Sequence, residues 1–152
     1  MHPIQSICVF CGSADGNNDT YTEAAIQMAH CLAQNNIRLV YGGACIGIMG
    51  TLARACLKLG TEVIGVQPAF LQKHEVSCND SQLIITDDMQ TRKQKMFELS
   101  DAFIILPGGL GTLDELFEIW VLTQLDQLSK PIGILNINHV FTPLLQGVRH
   151  IQ

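Results

Sequence analysis

Pro107-Gly108-Gly109-Leu110-Gly111-Thr112-Leu113-Asp114-Glu115 follows the apolar run Ala102 to Leu106 and opens a long helical pattern, so the stretch reads as strand, glycine turn and helix. Such a turn leaves the first N–H groups of the helix unpaired and aims them, with the positive end of the helix dipole, at the edge of a sheet. Gly108, Gly109 and Gly111 let the backbone approach an anion closely, which suits a phosphate. Asp114 and Glu115 would repel that phosphate. Glu115, read as lying in the first turn, is therefore expected to face another part of the ligand, one that becomes positive during reaction. The competing reading is a capping box, with Thr112 capping the helix and Glu115 reaching back, which contributes about 1 kcal/mol. Pro107 and three glycines exceed what a cap needs. No Gly-Lys-Ser/Thr closes the loop and no G-x-G-x-x-G follows a strand, which disfavours a nucleoside triphosphate or NAD.

Outward from this turn the chain alternates strands and helices. Ile7 to Phe10 reads as a strand, Tyr21 to Gln34 as an amphipathic helix and Arg38 to Tyr41 as a strand. A helix from about Ile48 to Leu59 ends at Gly60 and hands over to a strand from Glu62 to Val66, broken at Pro68. Leu83 to Thr86 and Ile132 to Leu135 complete the strands, with helices at Met89 to Leu99 and Thr112 to Leu128. This βαβ rhythm, with no linker or repeat, predicts an α/β fold: a single Rossmann-like, doubly wound, mainly parallel sheet over 1–152. Three glycine-bearing turns then gather at the C-terminal ends of the strands: Gly12-Ser13, Gly42-Gly43 through Gly47, and Gly108 to Gly111. Each alone is ordinary turn chemistry, but together they favour a pocket.

The 152 residues carry a net charge of -5, are 47% hydrophobic and only 15% charged, with a mean hydropathy of +0.24. The missing basic cluster argues against nucleic acid and for a small ligand. No apolar run approaches the roughly 18 residues that span a bilayer, so no membrane partner is expected. Met1-His2-Pro3-Ile4-Gln5-Ser6 lacks the features of a leader, which places the chain in the cytoplasm with six reduced cysteines. Cys8 and Cys11 imitate C-x-x-C inside a strand, where residues three apart face opposite sides. They are read as core fillers, Cys31, Cys45, Cys56 and Cys78 as unclustered thiols, and no metal or cofactor is expected.

Arg92 and Lys93 fall inside the apolar arc that Met89, Met96, Phe97 and Leu99 form on their helix, whereas Lys95 lies on the polar face. An unpartnered buried charge costs several kcal/mol, so inward cations need a ligand or carboxylate. Snorkelling aliphatic stems are the plainer alternative. His74 reads as a surface or hinge residue, and no G-x-S-x-G supports acyl-enzyme chemistry.

Met89-Gln90-Thr91-Arg92-Lys93 with Pro107-Gly108-Gly109-Leu110-Gly111-Thr112-Leu113-Asp114-Glu115 resembles the Lonely Guy family of cytokinin riboside 5'-monophosphate phosphoribohydrolases. Val9 to Ser13, Tyr41-Gly42-Gly43 with Gly47 to Gly50, and Pro68 to Glu75 extend the resemblance over almost the whole chain. It implies a homodimer that hydrolyses the N-glycosidic bond of an N6-substituted adenosine monophosphate, releasing base and ribose 5-phosphate, often with AMP as well. By this likeness Arg92 and Glu115 are catalytic, and Glu75, Lys93, Gly108, Gly109, Leu110, Gly111, Thr112 and Asp114 bind substrate or phosphate. Gly12, Ser13, Gly42, Gly43 and Met89 are weaker candidates. Gln90, Ala44 and Val121 depart from the family pattern and bear on base preference rather than reaction class. The C-terminus at Gln152 is short of the family's usual end.

The helix after Glu115 points to a dimer independently, because Leu116, Phe117, Ile119, Trp120, Val121, Leu122 and Leu125 wrap most of its circumference. Two other readings stand beside the hydrolase: a general nucleoside 5'-monophosphate nucleosidase, and a nonenzymatic nucleotide or cofactor carrier on the same fold. The label lysine decarboxylase, sometimes attached to this motif, fits poorly, because nothing resembles a Schiff-base lysine with pyridoxal phosphate partners.

Overall fold

The computed structural model describes residues 3–78 and 81–151. Met1, His2 and Gln152, on which the readings of the two chain ends fall, lie outside the described residues. In chain order the elements are β1 (Ser6–Phe10), α1 (Asp19–Gln34), β2 (Arg38–Tyr41), α2 (Gly47–Lys58), β3 (Val63–Pro68), β4 (Gln82–Thr86), α3 (Met89–Glu98), β5 (Ala102–Ile105), α4 (Leu110–Gln124), β6 (Ile132–Ile134) and α5 (Thr142–Ile151). The strands form one parallel, six-stranded sheet in the order β4-β3-β2-β1-β5-β6. This is the Rossmann-like α/β architecture that the alternating pattern predicts.

Alternation along the strands divides the core into two layers. Val9, Leu39 and Tyr41 face α1 and α2, where Ala25, Ala29, Leu52 and Ala53 let the helices lie close. Cys8, Phe10, Val40 and Phe103 face the other way, onto Met96 of α3, Leu116 and Ile119 of α4, and Phe141 just before α5. Cys8 and Cys11 accordingly sit on opposite faces, as read from their spacing. Phe10 and Phe103 stack with centroids 6.0 Å apart, and Phe97 meets both edge-on at 6.5 and 5.7 Å.

Three helices close in the same way. The residue after the cap turns left-handed at Asn36, Gly60 or Asp126, and the next N–H reaches back to Leu32, Cys56 or Leu122. Only the second of these closures carries a glycine. The Asp126 turn therefore ends α4 at Gln124, ahead of the Leu128 expected from hydrophobicity. Pro68 does not break β3; it is its last residue, opposite Thr86, beyond the register with β2 that ends at Gly65. Its missing donor is not needed there. Among the described residues no helix is long and apolar enough to cross a membrane.

The aromatic trio joins β1, β5 and α3, so Phe103→Ala should lower unfolding stability by about 3–5 kcal/mol. A fall in the urea midpoint with an unchanged slope checks this.

Candidate active site

Strand order reverses between β1 and β5, and an open parallel sheet leaves a crevice at such a switch point. The loops after these two strands meet there, the Gly12 N–H donating to the Pro107 carbonyl at 3.1 Å. A Cβ on Gly108 would strike the Thr112 side chain and lie 2.9 Å from the Gly12 nitrogen, so this approach requires glycine.

The helices around the crevice begin differently. Asn18 caps α1 by accepting from the Thr20 N–H, and Asp88 caps α3 by accepting from Thr91 at 2.7 Å. The first turn of α2 is answered by the carbonyls of Gly12 and Ala14. α4 starts at Leu110 with Gly109 at its cap position and no side-chain cap, and the N–H groups of Leu110, Gly111 and Thr112 find no acceptor among the described residues. This start lies two residues before the one expected, so Glu115 falls in the second turn. Thr112 is not the cap, and the capping-box reading is excluded. What remains is an open helix terminus facing the cleft, a seat for an anion.

Arg92 points inward from α3 and is 6% exposed. Its Nε donates to the Val66 carbonyl at 2.9 Å, Nη2 to the Gly42 carbonyl at 3.2 Å, and Nη1 to Glu115 Oε1 at 3.3 Å. Snorkelling does not describe it. Gly42 must be glycine, since a Cβ there would occupy the position of Nη2. Glu115 is equally buried. Burial pushes its carboxyl up to about 7, against the opposing pull of Arg92 and with a smaller push from Asp114.

Lys93 is also drawn in, but its ammonium pairs with Asp114 at 3.0 Å and with Glu118. Burial pulls that ammonium down, and the two carboxylates more than compensate, holding it above its ordinary range. Lys95 is half-exposed, as expected of a polar-face residue.

A cleft of about 250 Å³ collects Gly12, Ser13, Glu75, Met89, Arg92, Gly109, Leu110, Gly111, Thr112 and Glu115 in its wall. Gly108 lines an adjoining recess of about 360 Å³, which shares Gly12, Ser13 and Gly109 with the cleft. Lys93 and Asp114 lie outside the wall and neutralise each other; Gly42 acts through its carbonyl, and Gly43 packs on Gln67. Cys11, expected only as a core filler, also lines the cleft, as do Met49 and Leu71, to which the sequence assigned no site role. Only their neighbourhood to the glycine turns and to Glu75 could have signalled them. Of the three departures from the family pattern, none lines the cleft: Ala44 is buried, Gln90 is exposed, and Val121 stands on the outer side of α4.

The expectation of six free thiols fails. Cys45 and Cys78 are joined by a disulfide, while Cys8, Cys11, Cys31 and Cys56 are free. The partners are 33 residues apart in sequence. They meet because the parallel sheet brings the loop after β2 and the connection before β4 to the same edge.

Comparison with known proteins follows the same lines. A family profile described as "Possible lysine decarboxylase" matches residues 49–152. The chain is 44% identical over 143 residues to the cytokinin riboside 5'-monophosphate phosphoribohydrolase LOG2 of Arabidopsis thaliana, covering 93% of this chain and 67% of that protein. It is 43% identical over 148 residues to the cytokinin riboside 5'-monophosphate phosphoribohydrolase of Rhodococcoides fascians, covering 96% and 75%. Across these and two rice relatives the chain spans 60–75% of the relative's length. Among solved structures, the molybdenum cofactor carrier protein of Chlamydomonas reinhardtii has a TM-score of 0.70 at 20% identity, over 93% of this chain and 84% of that one. That is a likeness of fold.

Glu115 binds its proton more tightly folded, at about 7, than at its ordinary 4.5. Between those values the folded state holds more protons than the unfolded one, so stability falls as pH rises through this window. Urea unfolding at pH 5 and pH 7 should show a loss of roughly 2–3 kcal/mol in the parent protein that Glu115→Gln does not show.

Proposed function

Since this chain belongs to the family of cytokinin riboside 5'-monophosphate phosphoribohydrolases, we propose that its cleft hydrolyses adenosine 5'-monophosphates, N6-substituted ones included, to free base and ribose 5-phosphate. The observation that carries this reading is Glu115: a buried carboxylate bonded to Arg92 at 3.3 Å, in the wall of a cleft that ends on the uncapped start of α4.

The phosphate sits on the N–H groups of Leu110, Gly111 and Thr112, with Gly108 and Gly109 giving the backbone clearance. That seat fixes C1' of the ribose one helical turn deeper, beside Glu115. As the bond from C1' to the base nitrogen breaks, the sugar acquires oxocarbenium character, and the carboxylate stabilises it at close range in a site of low polarity. Glu115 also orients water, whose hydroxyl adds to C1' while its proton passes to the departing base. Arg92 holds Glu115 in place and offsets its charge. Lys93 acts indirectly: by neutralising Asp114 and Glu118 it keeps the phosphate seat free of repulsion. Glu75, Leu71 and Met89 line the side left for ribose and base. The decarboxylase description of the matching family profile gains no support, because no lysine lines this cleft among the described residues.

We further propose a homodimer in the cytoplasm, with residues 1–152 acting as one nucleotide-binding domain. Phe117, Val121 and Leu125 are 38%, 49% and 61% exposed on one side of α4, with Phe117 stacked on Trp120. A charged side chain there opposes association, so Val121→Glu should halve the mass found by sedimentation velocity. A monomeric parent protein would refute the dimer.

Incubation of the purified protein with AMP and with N6-isopentenyl-AMP, followed by chromatography of base and ribose 5-phosphate, tests the activity. Glu115→Gln should slow turnover by ~100-fold or more while AMP still binds, and kcat/KM of the parent should rise with pH through about 7 as the carboxylate forms. Binding without release would make the protein a carrier instead.

A further inference from the structure

The segment that carries Glu75 into the cleft has little hold of its own. It leaves β3 as a single 3-10 turn, Ala69–Lys73, with Phe70 51% and Val76 75% exposed. Among the described residues its attachments run to β3 and to the loop after β2. Gln67, buried on β3, donates from Nε2 to the Glu75 carbonyl at 3.1 Å. The Cys45 N–H donates to the Val76 carbonyl at 2.8 Å, and Ala44 and Ser77 pair as an isolated antiparallel bridge. The disulfide from Cys45 to Cys78 closes this set, with Cα atoms 4.8 Å apart. It is the one covalent tie, three residues beyond Glu75.

The sulfur at Cys45 has a built environment. Arg54 Nη1 donates to the Cys45 carbonyl at 2.9 Å and stands 3.4 Å from Cys45 Sγ. A cation against sulfur favours thiolate over thiol, which activates Cys45 as the nucleophile of the oxidising direction and as the leaving group of the second reductive step. Cys45 is half-buried whereas Cys78 is buried, so an incoming thiol meets Cys45 first. The other internal cysteines compete poorly: burial raises the thiols of Cys8 and Cys11 well above their ordinary range and that of Cys56 to about 12.

We propose that Cys45 and Cys78 are positioning residues for Glu75, and that their bond is a redox-operated latch on nucleotide binding. This rests on reading the cleft as the nucleotide site. In the reducing direction a dithiol supplies a thiolate that attacks Cys45 Sγ. The S–S bond breaks, its electron pair leaves on Cys78 Sγ, and that sulfur takes a proton. The second thiol of the reductant then displaces Cys45, so the protein gains two thiols and the reductant becomes a disulfide. In the oxidising direction the Cys45 thiolate attacks a peroxide, giving a sulfenic acid and releasing an alcohol or water. Cys78 then displaces water from that sulfur and restores the bond. Open, the segment is held by hydrogen bonds alone, and Glu75 spends only part of its time in the cleft wall.

The test compares the oxidised 152-residue chain with the same chain reduced by dithiothreitol, peptide mass mapping confirming the state of Cys45 and Cys78. If the segment is in place a tenth of the time when open, the calorimetric Kd for AMP and the KM should both rise ~10-fold on reduction while kcat changes less than about twofold. Cys45→Ser and Cys78→Ser should each bind as the reduced protein does and ignore dithiothreitol. Hydrogen exchange should rise over 69–78 and not in β1 or β5. Equal Kd and KM in both states, or a response to dithiothreitol that survives in both serine variants, overturns the latch. So does exchange rising throughout the sheet, which makes the bond a general stabiliser. Redox-dependent AMP binding without turnover supports the latch and refutes the hydrolase. Turnover independent of redox state does the reverse.

Discussion

A guanidinium buried at the carboxyl edge of a parallel sheet holds this molecule's working end together. Arg92 leaves α3, spends one donor on β3 through Val66, another on the loop after β2 through Gly42, and a third on Glu115 of α4. Four elements therefore converge on one charge. Removing any partner would leave part of that charge uncompensated out of water, a state far more costly than the loss of one ordinary hydrogen bond. The constraint reaches back to composition, since position 42 has no room for a side chain beside Nη2.

Around that cation the charges are arranged by sign and depth. The positive end of α4 and the guanidinium would together attract carboxylates as readily as phosphates, yet Asp114 and Glu118 of the same helix are held by Lys93. Glu115 is left as the buried acid of the cleft wall, with a proton affinity set mainly by desolvation and restrained by Arg92. Burial, usually a penalty for a carboxylate, here places its titration near neutrality. The uncapped helix start and the acid are separated by one turn of the same helix, so their spacing is fixed by helix geometry and not by loop conformation.

Most of this architecture was legible in the residues. The parallel sheet followed from the alternation of short apolar runs with amphipathic stretches, and the inward course of Arg92 followed from its place on the helical wheel. Element ends were harder to read. α4 starts at Leu110 because an uncapped glycine, not Thr112, begins it, and it stops at Gln124 because Asp126 adopts a left-handed turn that composition does not announce. The destination of Lys93 also escaped the sequence: spacing shows that a cation turns inward, but not whether a ligand or a neighbouring helix meets it. The Cys45 and Cys78 pair was invisible for a related reason. Two half-turns of chain far apart in sequence meet only once the strand order is known, and no local pattern encodes that order.

The turns at Asn36, Gly60 and Asp126 give the molecule two unlike rims. At the far rim each of these helices ends by folding the chain back onto its own last carbonyls, and the Asn36 and Gly60 turns share the wall of a recess of about 390 Å³ that lies away from the cleft. At the near rim one helix is deliberately left open and the loops lean on each other through shared atoms. Immobilisation, labelling or fusion therefore belongs at the far rim, where a chemical handle is insulated from the cleft by the full height of the sheet.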